Sequence, residues 1–204
     1  LVLYRAYGTQ LSTSWKMAAM SAVLIGGLTV YAVPQMGVQA RVHQAFNDVA
    51  LYVSGENRST SVGSRFEMWR GAAQLIQEKP LMGWGSNGYA DAMADYGEAG
   101  VISAEAARYG HAHNEFIDAF AKRGLLGLAA LLALYLVPMR LFARHLQASH
   151  LATRAVATAG VLLPVTFMDF GLTQVFMEHN SGAMMYAFML AVLWGIYSQR
   201  VNEG

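Results

Sequence analysis

Two histidines, spaced two residues apart in Tyr109-Gly110-His111-Ala112-His113-Asn114-Glu115-Phe116, are the side chains of this sequence best suited to chemistry. Asn114 is a favourable helix N-cap, and Phe116, Ile117 and Phe120 begin an apolar helical face behind it. His113 therefore falls where a loop meets a helix N-terminus. The positive end of a helix disfavours imidazolium, which leaves the ring neutral and able to accept a proton. That suits a general base, with His111 as the second choice and Asn114 and Glu115 in support. Two histidines solvated on a loop are the plain alternative. A metal site built from His111, His113 and Glu115 or Asp118 is a third reading, but His-x-His is not the i,i+4 spacing of a zincin helix, and the chain has no cysteine. The reading therefore takes no metal and no cofactor.

Other chemistries fit poorly. The acidic residues are scattered with no recognisable pair for a glycosidase, and no Gly-x-Ser-x-Gly elbow is present for a serine hydrolase. Arginines are better placed. Arg65, Arg70 and Arg108 lie in the same segment as the histidines, and guanidinium binds phosphate through paired hydrogen bonds. Together with a histidine at a membrane surface they suggest a lipid-linked phosphate ligand. Glu178 and His179 fall in a later turn from which they can approach the same site. Asp169 is an acid near the end of an apolar stretch, and so a functional candidate.

The elements that position these residues follow from the distribution of charge. Of 204 residues, 55% are hydrophobic and 13% charged, with a net charge of +1. That balance excludes a disordered chain and offers no basic face for nucleic acid. Four nearly uncharged stretches, Met17 to Val33, Gly124 to Met139, Ala155 to about Met177 and Ala183 to Ser198, approach the ~20 residues that cross a bilayer as a helix. Arg140, Arg144 and Arg154 between the second and third stretches, Arg5 and Lys16 before the first, and Arg200 after the last assign those segments to the cytoplasm. Lys122 and Arg123 run against this rule and are outvoted. Residues 34–123, with eight basic and ten acidic residues, then face the exterior. The expected fold is an all-α integral membrane protein in three segments. Residues 1–33 form a cytoplasmic stretch and first span, 34–123 a large helical exterior loop carrying the site, and 124–204 three further spans with a basic cytoplasmic loop.

Within the loop, Val38, Val42, Ala45, Phe46 and Val49 predict an amphipathic helix. Ser64-Arg65-Phe66-Glu67 fits a capping box, with Phe66, Trp69, Ala73 and Ile76 forming one face of the helix behind it. Lys79-Pro80 ends that helix. Leu81-Met82-Gly83-Trp84-Gly85-Ser86-Asn87-Gly88 reads as a structural turn, followed by a short helix over 87–96 closed by Gly97.

Taken in order, Ser64-Arg65-Phe66-Glu67-Met68-Trp69, Lys79-Pro80-Leu81-Met82-Gly83-Trp84-Gly85, His111-Ala112-His113-Asn114-Glu115 and Lys122-Arg123-Gly124-Leu125-Leu126-Gly127-Leu128 resemble the O-antigen ligase family. That group also includes O-antigen polymerases and bacterial protein O-oligosaccharyltransferases. The resemblance covers most of residues 60 to 142 and discriminates poorly among the members. It implies a GT-C-like, metal-independent, inverting glycosyltransferase of the bacterial inner membrane, acting in lipopolysaccharide biosynthesis with its active loop in the periplasm. Such ligases transfer a polysaccharide from undecaprenyl pyrophosphate to lipid A–core. The family's loop histidine maps onto His113, with His111 the fallback, and its pyrophosphate-binding arginine maps onto Arg65. A further family arginine lies in an earlier loop that this chain does not contain. Because the chain opens on Leu1 within what reads as a cytoplasmic loop, it is expected to be the C-terminal part of a longer bundle whose N-terminal half is a partner in the site.

Overall fold

The computed structural model describes residues 1–8 and 10–202; residues 203 and 204 of the last expected segment lie outside the described residues. Among these residues every regular element is a helix. The elements are α1 (Val2–Tyr7), α2 (Thr13–Ala32), α3 (Val38–Ser54), α4 (Ser61–Glu78), α5 (Gly85–Glu98), α6 (Ala104–Ala107), α7 (Glu115–Ala143), α8 (Leu151–Gly171) and α9 (Asn180–Asn202). Single 3-10 turns follow α2 at Pro34–Met36 and α8 at Phe176–Glu178. Four helices, α2, α7, α8 and α9, are long and apolar enough to cross a membrane. They coincide with the four uncharged stretches, except that α8 ends at Gly171, before the expected Met177.

Two bodies of packing make up most of the molecule. α7, α8 and α9 form a bundle whose core is aromatic: Tyr186 lies edge-on to both Tyr135 and Phe167, and its hydroxyl donates to the Leu134 carbonyl at 2.8 Å. α4, α5, α6 and the outer turns of α7 form a small helical cap around Met68, Leu75, Tyr89, Met93, Ile102 and Ala112. α3 leads into the cap with Phe46 and Val53 exposed, while α2 has no buried residue.

Three local expectations are corrected. α4 starts at Ser61 rather than Ser64, because Thr60 supplies the cap: its hydroxyl accepts from Gly63 N–H at 3.1 Å. Glu67 does not reach back along its own helix. It is buried, accepts from the Tyr52 hydroxyl and the Ser103 N–H at 2.8 Å each, and so joins α3, α4 and the segment before α6. The inner face of α4 is Ser64, Met68, Ala72 and Leu75, whereas Ala73 is exposed. α5 extends from Gly85 to Glu98 through Gly97, and the chain turns instead at Gly100, where φ is +70°.

The glycine-punctuated turn and the Lys122–Gly124 stretch are two halves of one joint. Trp84 N–H donates to the Ala121 carbonyl at 3.1 Å, and Leu125 N–H donates to the Pro80 carbonyl at 2.8 Å. Gly83 (φ +69°) lies against the backbone of Lys122 and Arg123, and Gly124 (φ +64°) against that of Leu81, so a Cβ on either glycine would collide with main chain. Gly124 is non-helical within α7, so the helix is broken between its outer turns and its apolar rod. Only a residue without Cβ permits both the backbone approach and the left-handed conformation.

Candidate active site

The His111–His113 loop is held at its middle residue. Ala112 is fully buried; its N–H donates to Asp118 Oδ1 at 2.9 Å and its carbonyl accepts from Trp69 Nε1 at 2.9 Å. With Ala112 fixed between α7 and α4, the two histidines flanking it are set in place. His113 has φ +48°, and among the described residues it alone combines a side chain with a positive φ. Its N–H donates to His111 Nδ1 at 3.4 Å, and the two rings meet edge to face with centroids 4.3 Å apart. Tyr109 lies edge-on to both rings. As expected, Asn114 caps α7, its Oδ1 accepting from Phe116 and Ile117 N–H at 3.1 and 3.0 Å.

One polar cavity of about 300 Å³ lies in front of His113, lined by Ser59, Thr60, Ser61, Ser64, Arg65, Met68, Glu105, Tyr109 and His113. It brings together the two residues singled out first, Arg65 and His113. Arg65 makes no ion pair among the described residues. The other two arginines differ: Arg70 lies 3.8 Å from Glu67, and Arg108 lies 3.6 Å from Glu105 with 78% of its side chain exposed. Arg108 thus offsets the one carboxylate that lines the cavity, and neither Arg70 nor Arg108 lines it. His111 stands behind His113, outside the cavity wall.

The electrostatics favour the neutral form of both rings. Burial pushes the His113 pKa below 6.5, and the Arg65 charge lowers it further, while polar groups of Gln174 and Thr173 act in the opposite direction. His113 Nδ1 is buried without a hydrogen-bond partner among the described residues. The His111 pKa is also lowered, first by burial and then by His113 and Lys122, with Glu178 opposing.

The α8–α9 connection closes the back of the site. Asn114 Nδ2 donates to the Leu172 carbonyl at 3.1 Å, and Glu115, buried, accepts from Met177 N–H at 2.9 Å. Glu178 accepts from Lys122 Nζ at 2.7 Å, and Lys122 Nζ also lies 3.0 Å from Asp118 Oδ2. Burial acts to raise the Glu178 pKa, but Lys122 outweighs it and holds the carboxyl below its ordinary value. His179, exposed, is near enough to His111 to act on its charge. Asp169 is exposed at the end of α8, away from the cavity.

Sequence reasoning missed Tyr109, Trp69, the Ser59–Ser61 wall and the Lys122 pair. For Lys122 a signal existed: a lysine on the wrong side of the charge rule, four residues after Asp118 on a helix, points to an internal partner. Tyr109 stands within the histidine stretch itself, whereas Trp69 and the Ser59–Ser61 wall meet the loop from residues far apart in sequence.

Comparison with known proteins agrees with the motifs. An uncharacterised protein of Haemophilus influenzae is 30% identical over 167 residues, covering 82% of this chain and 42% of that protein. The chain thus spans less than half the length of the relative it matches. Residues 1–132, which include the His111–His113 loop, Arg65 and both halves of the glycine joint, match the family described as O-antigen ligase. With four apolar helices and this match over more than half its length, the chain belongs to the O-antigen ligase family.

Proposed function

We propose that this chain is the C-terminal part of a GT-C-like, inverting glycosyltransferase that moves O-antigen polysaccharide from undecaprenyl pyrophosphate to lipid A–core. The reaction occurs on the periplasmic face of the inner membrane. The observation that carries the reading is the shared cavity: Arg65, which has no ion pair among the described residues, and His113, whose pKa is lowered, line one polar space. The acceptor hydroxyl oxygen attacks the anomeric carbon as the bond to pyrophosphate breaks. His113 takes the hydroxyl proton, and Arg65 offsets the charge growing on the pyrophosphate, so no strong acid is needed. Displacement in one step inverts the anomeric centre. Both substrates are anchored in lipid, and held orientation supplies a further part of the rate.

In this reading residues 34–123 are periplasmic and residues 140–154 cytoplasmic, and the N-terminal half of the enzyme and membrane lipids complete the donor groove. Orientation is supported by Arg140, Arg144 and Arg154 in the α7–α8 connection and by the internal neutralisation of Lys122, which removes one of the two exceptions to the charge rule. A polymerase or a protein-directed oligosaccharyltransferase shares this chemistry and differs in the acceptor. A strain deleted for the full-length gene should accumulate lipid A–core free of polysaccharide. Shortened chains would instead mark a polymerase, and loss of protein glycosylation the third activity. Reporter fusions at Gly55 and Ser149 should read periplasm and cytoplasm respectively; the reverse pattern would overturn the topology and the reaction with it.

A further inference from the structure

We infer that Lys122 is a positioning residue for the reaction: its ammonium ties Asp118 to Glu178 and so fixes the loop that presents His113. The inference rests on the role proposed for His113. Lys122 and Asp118 lie one turn apart on α7 with side chains 2% and 1% exposed, and Glu178 reaches in from the α8–α9 connection. Asp118 uses Oδ1 to hold Ala112 N–H and turns Oδ2 to Lys122. The chain of contact is therefore Glu178, Lys122, Asp118, Ala112, and the next residue is His113. Tyr89 packs its ring 5.2 Å from the ammonium, on the side of the cap. A lysine enclosed in this way must keep its partners or lose its place, because a buried charge without a counter-charge is strongly disfavoured. Among the described residues no hydrogen bond or ion pair joins Lys122 to a residue lining the cavity, so it acts on the geometry of His113 and not on substrate.

α4, which carries Arg65, meets the loop at Ala112 through Trp69 but has its own anchor through Glu67 to Tyr52 and Ser103. Loss of Lys122 should therefore disturb the base more than the donor's phosphate contacts.

Full-length Lys122→Met, assayed in membranes with lipid-linked donor and lipid A–core and normalised to folded protein, should lose kcat by about 10- to 100-fold, as residues supporting a reacting group do. The KM for donor should be nearly unchanged, as for a change felt only in the chemical step. A purely structural role would lower the amount of folded protein and leave kcat per folded molecule unchanged, and that result would overturn the inference, as would a loss expressed through KM. If Lys122→Met does not insert, Glu178→Gln decides on the same two outcomes, since it keeps an acceptor but removes one of the ammonium's two counter-charges and so loosens the tie to the α8–α9 connection. His113→Ala is run alongside. Normal transfer by that variant would remove the proposed reaction and this inference together, whereas an inactive His113→Ala beside a normal Lys122→Met would remove the positioning role alone.

Discussion

His113→Ala in the full-length protein is expected to reduce glycan transfer by about 10²–10⁴-fold, the contribution of a well-placed general base. Expression and membrane insertion should be unaffected, since the ring contributes to the cavity wall and not to the cap's core. His111→Ala should cost less, because His111 lines no part of the cavity and acts through its contact with the His113 N–H. The pH profile carries the same signature. Only neutral imidazole can take the proton, so activity is present above the pKa and lost as pH falls through it. Burial and Arg65 both lower that pKa, so the acid limb of kcat should lie below 6.5. Removing the Arg65 charge should move the limb upward. A chelator should leave wild-type transfer intact. Inhibition by chelator with recovery on adding a divalent ion would reassign His111 and His113 as ligands, and a larger loss at His111 would move the base to that residue.

Arg65→Lys should lose activity by about 10²–10³-fold, the usual loss when a donor to developing negative charge is removed from a closed site. A lysine keeps the charge but not the planar fork that meets two phosphate oxygens. Arg58→Lys, in the exposed linker ahead of α4, is the control and should be nearly silent. The measurement is initial transfer rate against donor concentration. Equal tolerance at the two positions would reduce Arg65 to a structural residue of the first turns of α4.

What the sequence revealed and what it hid divide by contact distance. The spans were legible because a membrane helix declares itself by the absence of charge, a purely local property. The His113–Asn114 junction was legible for the same reason: a cap and the helix it caps are neighbours in the chain. Ser64 and Glu67 show the opposite case. Their spacing matches a capping box, but Glu67 finds better partners 15 residues earlier at Tyr52 and 36 residues later at Ser103, and the cap moves to Thr60. Lys122 read as an exception to the charge rule because its partner Glu178 lies 56 residues away. The two glycine motifs were visible singly, but that they are one joint depends on Pro80 meeting Leu125 across the fold.

The backbone of His113 has a consequence for any attempt to improve the protein. A β-carbon in the left-handed region costs roughly 1 kcal/mol or more relative to glycine, so the position is held against local preference by Ala112 on one side and the Asn114 cap on the other. Glycine at this position relieves the strain and removes the proposed base in one step. A library sorted by thermal unfolding should therefore enrich His113→Gly, and the same library sorted by transfer should discard it. On the proposed role of His113, stability and transfer compete at a single φ angle, and selection for robustness alone would select against transfer.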